Sequence, residues 1–234
     1  MSMRQVQGVI EPSINDGDNK SKVVRYTYDY QKIDDICYSV MNEHLTHRMK
    51  EYCDNIREKS SKQWLERTQS MLAGDLSEEY GLNLLDDREL YFNFQESLRI
   101  ILSHVIGGEV VSFNFSGMWA NYQKPNECNP IHRHTAMLSL VWYLDVPQII
   151  REEHKSEKGT TPNRGLITFL SMFSNEEMVM NPKTNDLLIF NSQHPHQVYP
   201  YKSDVERVSL SANVSDIVLY DESAHSSISG GRRI

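Results

Sequence analysis

The feature that most limits what this chain can fold into is a change of texture at Gly107-Gly108. Beyond it come short runs of strand character, over 109–115, 118–122, 138–146, 165–169, 186–190 and 207–214. Turn-rich segments separate them, and 150–163 reads as an exposed loop. Before the change, apolar residues recur at three- and four-residue spacing. Ile33, Ile36, Cys37, Val40 and Met41, then Met49, Tyr52, Cys53 and Ile56, predict helix from 30 to about 73. The charges between Arg48 and Arg57 are the solvated face of that helix. A second helix is predicted over 87–104, with Leu90, Phe94, Leu98, Ile101 and Leu102 as its inner stripe and the glycine pair ending it. His104, in its last turn, suits a helix C-terminal charge.

Helices followed by many short strands predict an α+β chain whose β core is a sandwich or barrel with helices packed outside. At 234 residues this is one domain, over 23–220, mainly helical to 108 and β from 109. A loose polar arm over 1–22 precedes it, and a flexible tail over 221–234 follows. No apolar run approaches the roughly 18 residues of a membrane span, and the opening segment lacks the apolar stretch of a secretory signal. Three cysteines, Cys37, Cys53 and Cys128, form no CxxC pair and suit a reducing cytoplasm. The net charge of −8 disfavours a general nucleic-acid surface.

Chemistry concentrates in three stretches. In NPIHRHTAMLSLVWYLDVP (129–147), His132 and His134 are two residues apart, so a strand would project both rings from one face. Two imidazoles make a weak site for a divalent first-row metal, and a third ligand has to come from another strand. FNSQHPHQVYP (190–200) offers His194 and His196 after the strand DLLIF, and Asn185 stands where a positive φ would turn the chain into that strand. In RVSLSANV (207–214), Val208, Leu210, Ala212 and Val214 share one face, and Arg207, Ser209, Ser211 and Asn213 the other. That polar face is either wet or lines a cavity where the Arg207 fork and the Ser209 hydroxyl bind a carboxylate.

Taken in order, HxH, a strand ending in YL, GLITF, PKTNDLLIFNSQHPHQV and RVS resemble the 2-oxoglutarate/iron(II)-dependent oxygenases. The nearest likeness is to the prolyl-hydroxylase-like branch found as uncharacterised proteins in marine phages and bacteria. It covers roughly 110–214, and the first half of the chain carries no matching motif. The resemblance implies a double-stranded β-helix, or jelly roll, with N-terminal helices outside. It implies iron(II), with 2-oxoglutarate and O2 as co-substrates, in a cytoplasmic protein of phage or bacterial origin. His132 matches the first metal histidine, and His196, in PHQVYP, matches the distal one, with His194 as a supporting residue. Arg207, eleven residues after His196, matches the residue that binds the far carboxylate of 2-oxoglutarate, with Ser209 as its partner. Asn121-Tyr122 resembles the NY that starts the strand before the first histidine, and that likeness implies Tyr122 as a further 2-oxoglutarate contact.

The departure from the pattern is HxH in place of the commoner H-x-D or H-x-E. Either His134 is the third ligand, in an all-imidazole site, or a carboxylate such as Asp145 or Glu127 comes from elsewhere. The implied reaction is hydroxylation of an unactivated C–H bond of a small-molecule or peptidyl substrate, with release of succinate and CO2. The apolar run 138–144, with Trp119, Trp142 and Tyr143, is either core or part of a dry wall around that centre. A cupin-type enzyme shares the barrel and the HxH, but no acid follows at Thr135 to Ser139 and Arg207-Ser209 has no role there. A non-catalytic jelly-roll module leaves the ordered histidines and arginine as coincidence.

Overall fold

Strand β12 (Arg207–Tyr220) organises the fold, because its alternation gives it two usable faces. It lies antiparallel between β5 (Val110–Gln123) and β7 (Leu138–Asp145). Beyond β7 the sheet continues through β10 (Asp186–Asn191) and β3 (Ile36–Val40) to β1 (Met3–Gln5). Beyond β5 it ends at β4 (Glu79–Gly81), and β2 (Val23–Arg25) pairs with the far end of β12. A second sheet has the order β6 (Asn129–His132), β11 (His196–Val198), β8 (Ile167–Leu170) and β9 (Glu177–Met180). These elements come from a computed structural model, which describes residues 3–5, 23–25, 36–60, 76–154, 163–171 and 176–220. The architecture is the double-stranded β-helix expected, with helices on one outer face.

Two layers of core follow from strand alternation. Helices α1 (Glu43–Lys59) and α2 (Arg88–Ile106) cover the outer face of the large sheet. There Trp142 of β7 stacks on Phe94 of α2, ring centroids 5.3 Å apart. Each such fully buried side chain contributes roughly 1.5–3 kcal/mol. The next residue, Tyr143, points the other way and packs with Ile167, Phe169, Leu188 and Phe190 between the sheets. Trp142 is therefore helix-side core and no part of a cavity wall.

The second helix forms as its stripe predicts. Leu90, Phe94, Leu98, Ile101 and Leu102 are all buried. The Asp87 side chain accepts the Leu90 amide at 3.0 Å, and Gly107 (φ 76) makes the left-handed exit. The first predicted helix is corrected in part. It begins only at Glu43, capped by Asn42, while 36–40 is strand β3, hydrogen-bonded to β10. Both faces of β3 are covered, so adjacent Ile36 and Cys37 are each buried, in different cores. That spacing imitates a helical stripe. The predicted strands 109–115 and 118–122 are one strand, β5, and the predicted 150–163 loop opens within a short helix, α3 (Gln148–Glu153). The expectations for 6–22, 26–35, 61–73, 155–162 and 221–234 lie outside the described residues. Asn185 has the positive φ expected of it, 78°. No helix among the described residues is long and apolar enough to cross a membrane.

Candidate metal centre

The small sheet brings the histidines together. His132 ends β6, His196 begins β11, and the two are direct partners in the antiparallel ladder. His134 lies just past the end of β6, where its amide donates to the Ser192 carbonyl at 2.8 Å. Ring centroids are 4.2 Å apart for His132 and His196, 4.9 Å for His132 and His134, and 5.3 Å for His134 and His196. One ligating nitrogen from each ring lies within 4.8 Å of the other two.

The backbone also sets two of the tautomers. His132 Nδ1 is 2.7 Å from the Pro130 carbonyl, and His196 Nδ1 is 2.9 Å from the His194 carbonyl. A carbonyl can only accept, so both Nδ1 atoms carry hydrogen and both Nε2 lone pairs are left for a metal. Burial lowers the pKa of all three rings, that of His134 to about 4 and that of His196 to about 3, with His132 adding to both shifts. The rings are neutral at pH 7, the form that ligates. Three convergent neutral imidazoles fit a divalent iron. No carboxylate belongs to the group among the described residues, and Glu127, one candidate, instead accepts the Ser77 and Lys124 amides. His194 is buried edge-on to Phe169 and acts through the carbonyl that holds His196.

This burial has a measurable consequence. The folded rings bind protons less readily than the unfolded chain, whose histidines titrate near 6.5. Their contribution to stability is complete above pH 6.5 and is lost as pH falls toward about 4. The metal-free protein should therefore show a falling Tm across that window. The buried Glu79 carboxyl, pushed up to about 7, works in the opposite direction in this window, so the decisive chain is Glu79→Gln: a Tm there that is flat from pH 6.5 to 4.5 would contradict the arrangement.

A pocket runs from the histidines into the space between the sheets, lined by Trp119, Tyr143, Ile167, Phe190, Arg207 and Ser209, among others. Arg207 is 3% exposed. Its Nη1 donates to the Gly165 carbonyl at 2.5 Å and its Nη2 to Gln123 Oε1, and the rings of Tyr143 and Tyr201 lie 5.7 and 5.9 Å away. No carboxylate pairs with it among the described residues, and burial lowers its pKa. A buried cation without a counter-charge is costly, and an anionic ligand at this end of the pocket would offset that cost. Ser209 shares the pocket and accepts from Asn121 Nδ2 at 3.4 Å.

Tyr122 is a correction. Alternation along β5 turns Asn121 and Gln123 into the pocket and Tyr122 out of it. Its hydroxyl donates to Asp54 Oδ1 at 2.9 Å, under the Arg57 guanidinium, so it belongs to the helix side. Among the described residues, the tyrosine lining the pocket is Tyr143, register partner of Ser209, and its buried hydroxyl has no hydrogen-bond partner among them. Gln123 and Gly165 were not read from the sequence at all, since only strand pairing shows that they hold Arg207.

Gly165 has φ 70, and a Cβ there would lie 2.6 Å from Ile150 Cγ2 and 3.2 Å from the Ile150 carbonyl oxygen. Gly165→Ala should therefore cost about 1–3 kcal/mol and displace the carbonyl that seats Arg207. Chemical denaturation measures the first effect, and weaker binding of a dicarboxylate probe reports the second.

Residues 117–213 match the family described as putative 2OG-Fe(II) oxygenase. A search of the curated proteins found no match for the chain. Among solved structures it is similar to SnoK, described as a non-heme alpha ketoglutarate dependent carbocyclase from nogalamycin biosynthesis. The identity is 12%, covering 85% of this chain and 87% of that one, with a TM-score of 0.52. It is also similar to apo HygX from Streptomyces hygroscopicus, at 7% identity, 77% and 81% coverage and a TM-score of 0.50. A Pseudomonas putida prolyl-4-hydroxylase aligns at 15% identity over 77% of this chain and 91% of that one, with a TM-score of 0.49.

Proposed function

We propose that this chain, which carries a 2OG-Fe(II) oxygenase domain over residues 117–213 and uses iron(II), 2-oxoglutarate and O2, hydroxylates an unactivated C–H bond of its substrate. In this reading His132, His134 and His196 hold the iron, and Arg207, Ser209 and Tyr143 receive the far carboxylate of 2-oxoglutarate. The iron centre supplies the coupling of 2-oxoglutarate decarboxylation, giving succinate and CO2, to transfer of one atom of O2 into the C–H bond.

The single observation that carries the reading is the lone buried guanidinium of Arg207 in the same pocket as three neutral imidazoles. A divalent metal and a guanidinium in one pocket together more than offset the charge of a dianion, and the fork matches a carboxylate in two hydrogen bonds. The Tyr143 hydroxyl and the Ser209 hydroxyl, side by side on neighbouring strands, add same-face donors to that end. Phe169 and Phe190 lie against His196, at 5.8 and 4.7 Å between centroids, and keep water from that side of the ligands.

The test is anaerobic titration of metal-free protein with iron(II) and then 2-oxoglutarate, followed by visible absorbance. A weak charge-transfer band on addition of 2-oxoglutarate, then succinate on admission of O2, is the expected result. Iron binding without any spectral response to 2-oxoglutarate would instead favour a cupin-type centre.

A further inference from the structure

Two polar groups in the pocket have no part in holding iron or 2-oxoglutarate. Glu79 on β4 and Asn121 on β5 are direct register partners, so their side chains lie together on the pocket face. Glu79 is 3% exposed and Asn121 5%. Among the described residues, neither Glu79 Oε2 nor Asn121 Oδ1, both buried, has a hydrogen-bond partner. The amide nitrogen of Asn121 is spent on Ser211 Oγ at 3.0 Å and Ser209 Oγ at 3.4 Å, which leaves its oxygen as a pure acceptor.

The cations nearby do not serve Glu79. Its sequence neighbour Glu78 takes both Arg57 and Lys124, and Arg57 also holds Glu206. Arg207 makes no ion pair with Glu79 among the described residues: Nη1 and Nη2 each give one hydrogen, to Gly165 and Gln123, and its other donors are the ones assigned above to the co-substrate. Burial, with Glu127 adding to it, pushes the Glu79 carboxyl up to about 7. Two unpartnered acceptors, one of them an acid, are costly to bury unless a ligand brings donors. Trp119, two residues before Asn121 on the same strand face, adds an aromatic surface to the same wall.

We propose that Glu79 and Asn121, beside Trp119, form a subsite for a positively charged nitrogen group of the substrate, an alkylammonium or a guanidinium. The proposal rests on the pocket being the oxygenase pocket, and it names the class of substrate that pocket takes. The division of charge is consistent: Arg207 meets the anionic co-substrate, and Glu79 meets a cationic substrate. A protonated nitrogen offers several donors to the two acceptors and returns the carboxyl to its charged form.

The probe is n-butylammonium, with 1-butanol as its neutral counterpart, titrated calorimetrically into the full-length protein and into Glu79→Gln. The wild type should prefer the ammonium, and Glu79→Gln should lose about tenfold or more of that affinity while butanol binding changes less than about twofold. The charge-transfer band with iron and 2-oxoglutarate should be unchanged in Glu79→Gln, which also shows that the variant is folded. Equal binding of both probes by the wild type, or unchanged ammonium affinity in Glu79→Gln, overturns the subsite. Equal loss of both probes overturns it too, since Glu79 would then only shape the wall. If the wild type gives no charge-transfer band but the ammonium preference and its loss persist, the cofactor reading fails and the cation subsite stands.

Discussion

His196→Ala is expected to leave the protein without bound iron and to abolish succinate formation. The loss should exceed the roughly 10- to 100-fold that removing an outer hydrogen-bond partner of a metal ligand costs. His196 is the most buried of the three rings, packs against both Phe169 and Phe190, and sits directly opposite His132. Removing it takes away one Nε2 and opens space for water beside the remaining two. Iron content by metal analysis, read beside the Tm of the metal-free variant, separates ligand loss from unfolding. The same measurement on His134→Ala decides the ligand set. Iron retained in His134→Ala but absent in His196→Ala would return the third position to a carboxylate.

Arg207→Met is expected to weaken 2-oxoglutarate binding by about 10- to 100-fold, the worth of a charge-assisted bidentate contact, with iron binding unchanged. Two effects on stability oppose each other. The variant removes a buried, uncompensated cation but deprives Gln123 Oε1 and the Gly165 carbonyl of their donor. Each orphaned acceptor costs about 1–3 kcal/mol, and relief of the buried charge returns several, so the net change in Tm should be small. Arg207→Lys should not restore binding, because an ammonium cannot fork across two carboxylate oxygens. The check is the 2-oxoglutarate dependence of the charge-transfer band. A large fall in Tm with unchanged 2-oxoglutarate affinity would make Arg207 a structural group.

How much was legible in the sequence differs by kind of residue. That three histidines and Arg207 would meet in one pocket was readable because each stands in a short local pattern: HxH before an apolar run, PHQV after a strand, RVS on an alternating one. Helix α2 was readable for the same reason, with its stripe, cap and glycine exit all local. The errors arise where the answer depends on pairing. Strand β3 looked helical because sheet cores on both sides bury Ile36 and Cys37 together. Tyr122 was taken from the Asn121-Tyr122 likeness, and only the pairing of β5 with β12 shows that Asn121 and Gln123 face the pocket while Tyr122 faces the helices. Glu79 carries no motif, and only the β4–β5 ladder turns it into the pocket.

The pairing of His132 with His196 has one more consequence. Side chains alternate along a strand, so a one-residue slip of β11 against β6 would put Gln197 opposite His132 and send the His196 ring through to the other face. Such a chain would keep nearly all of its secondary structure and much of its apolar burial. It would be blind to iron, however, because the third imidazole would be missing. On the proposed ligand set, metal uptake would thus be a chemical proofreading signal: it would distinguish correctly threaded molecules from misthreaded ones that a circular dichroism spectrum would count as folded.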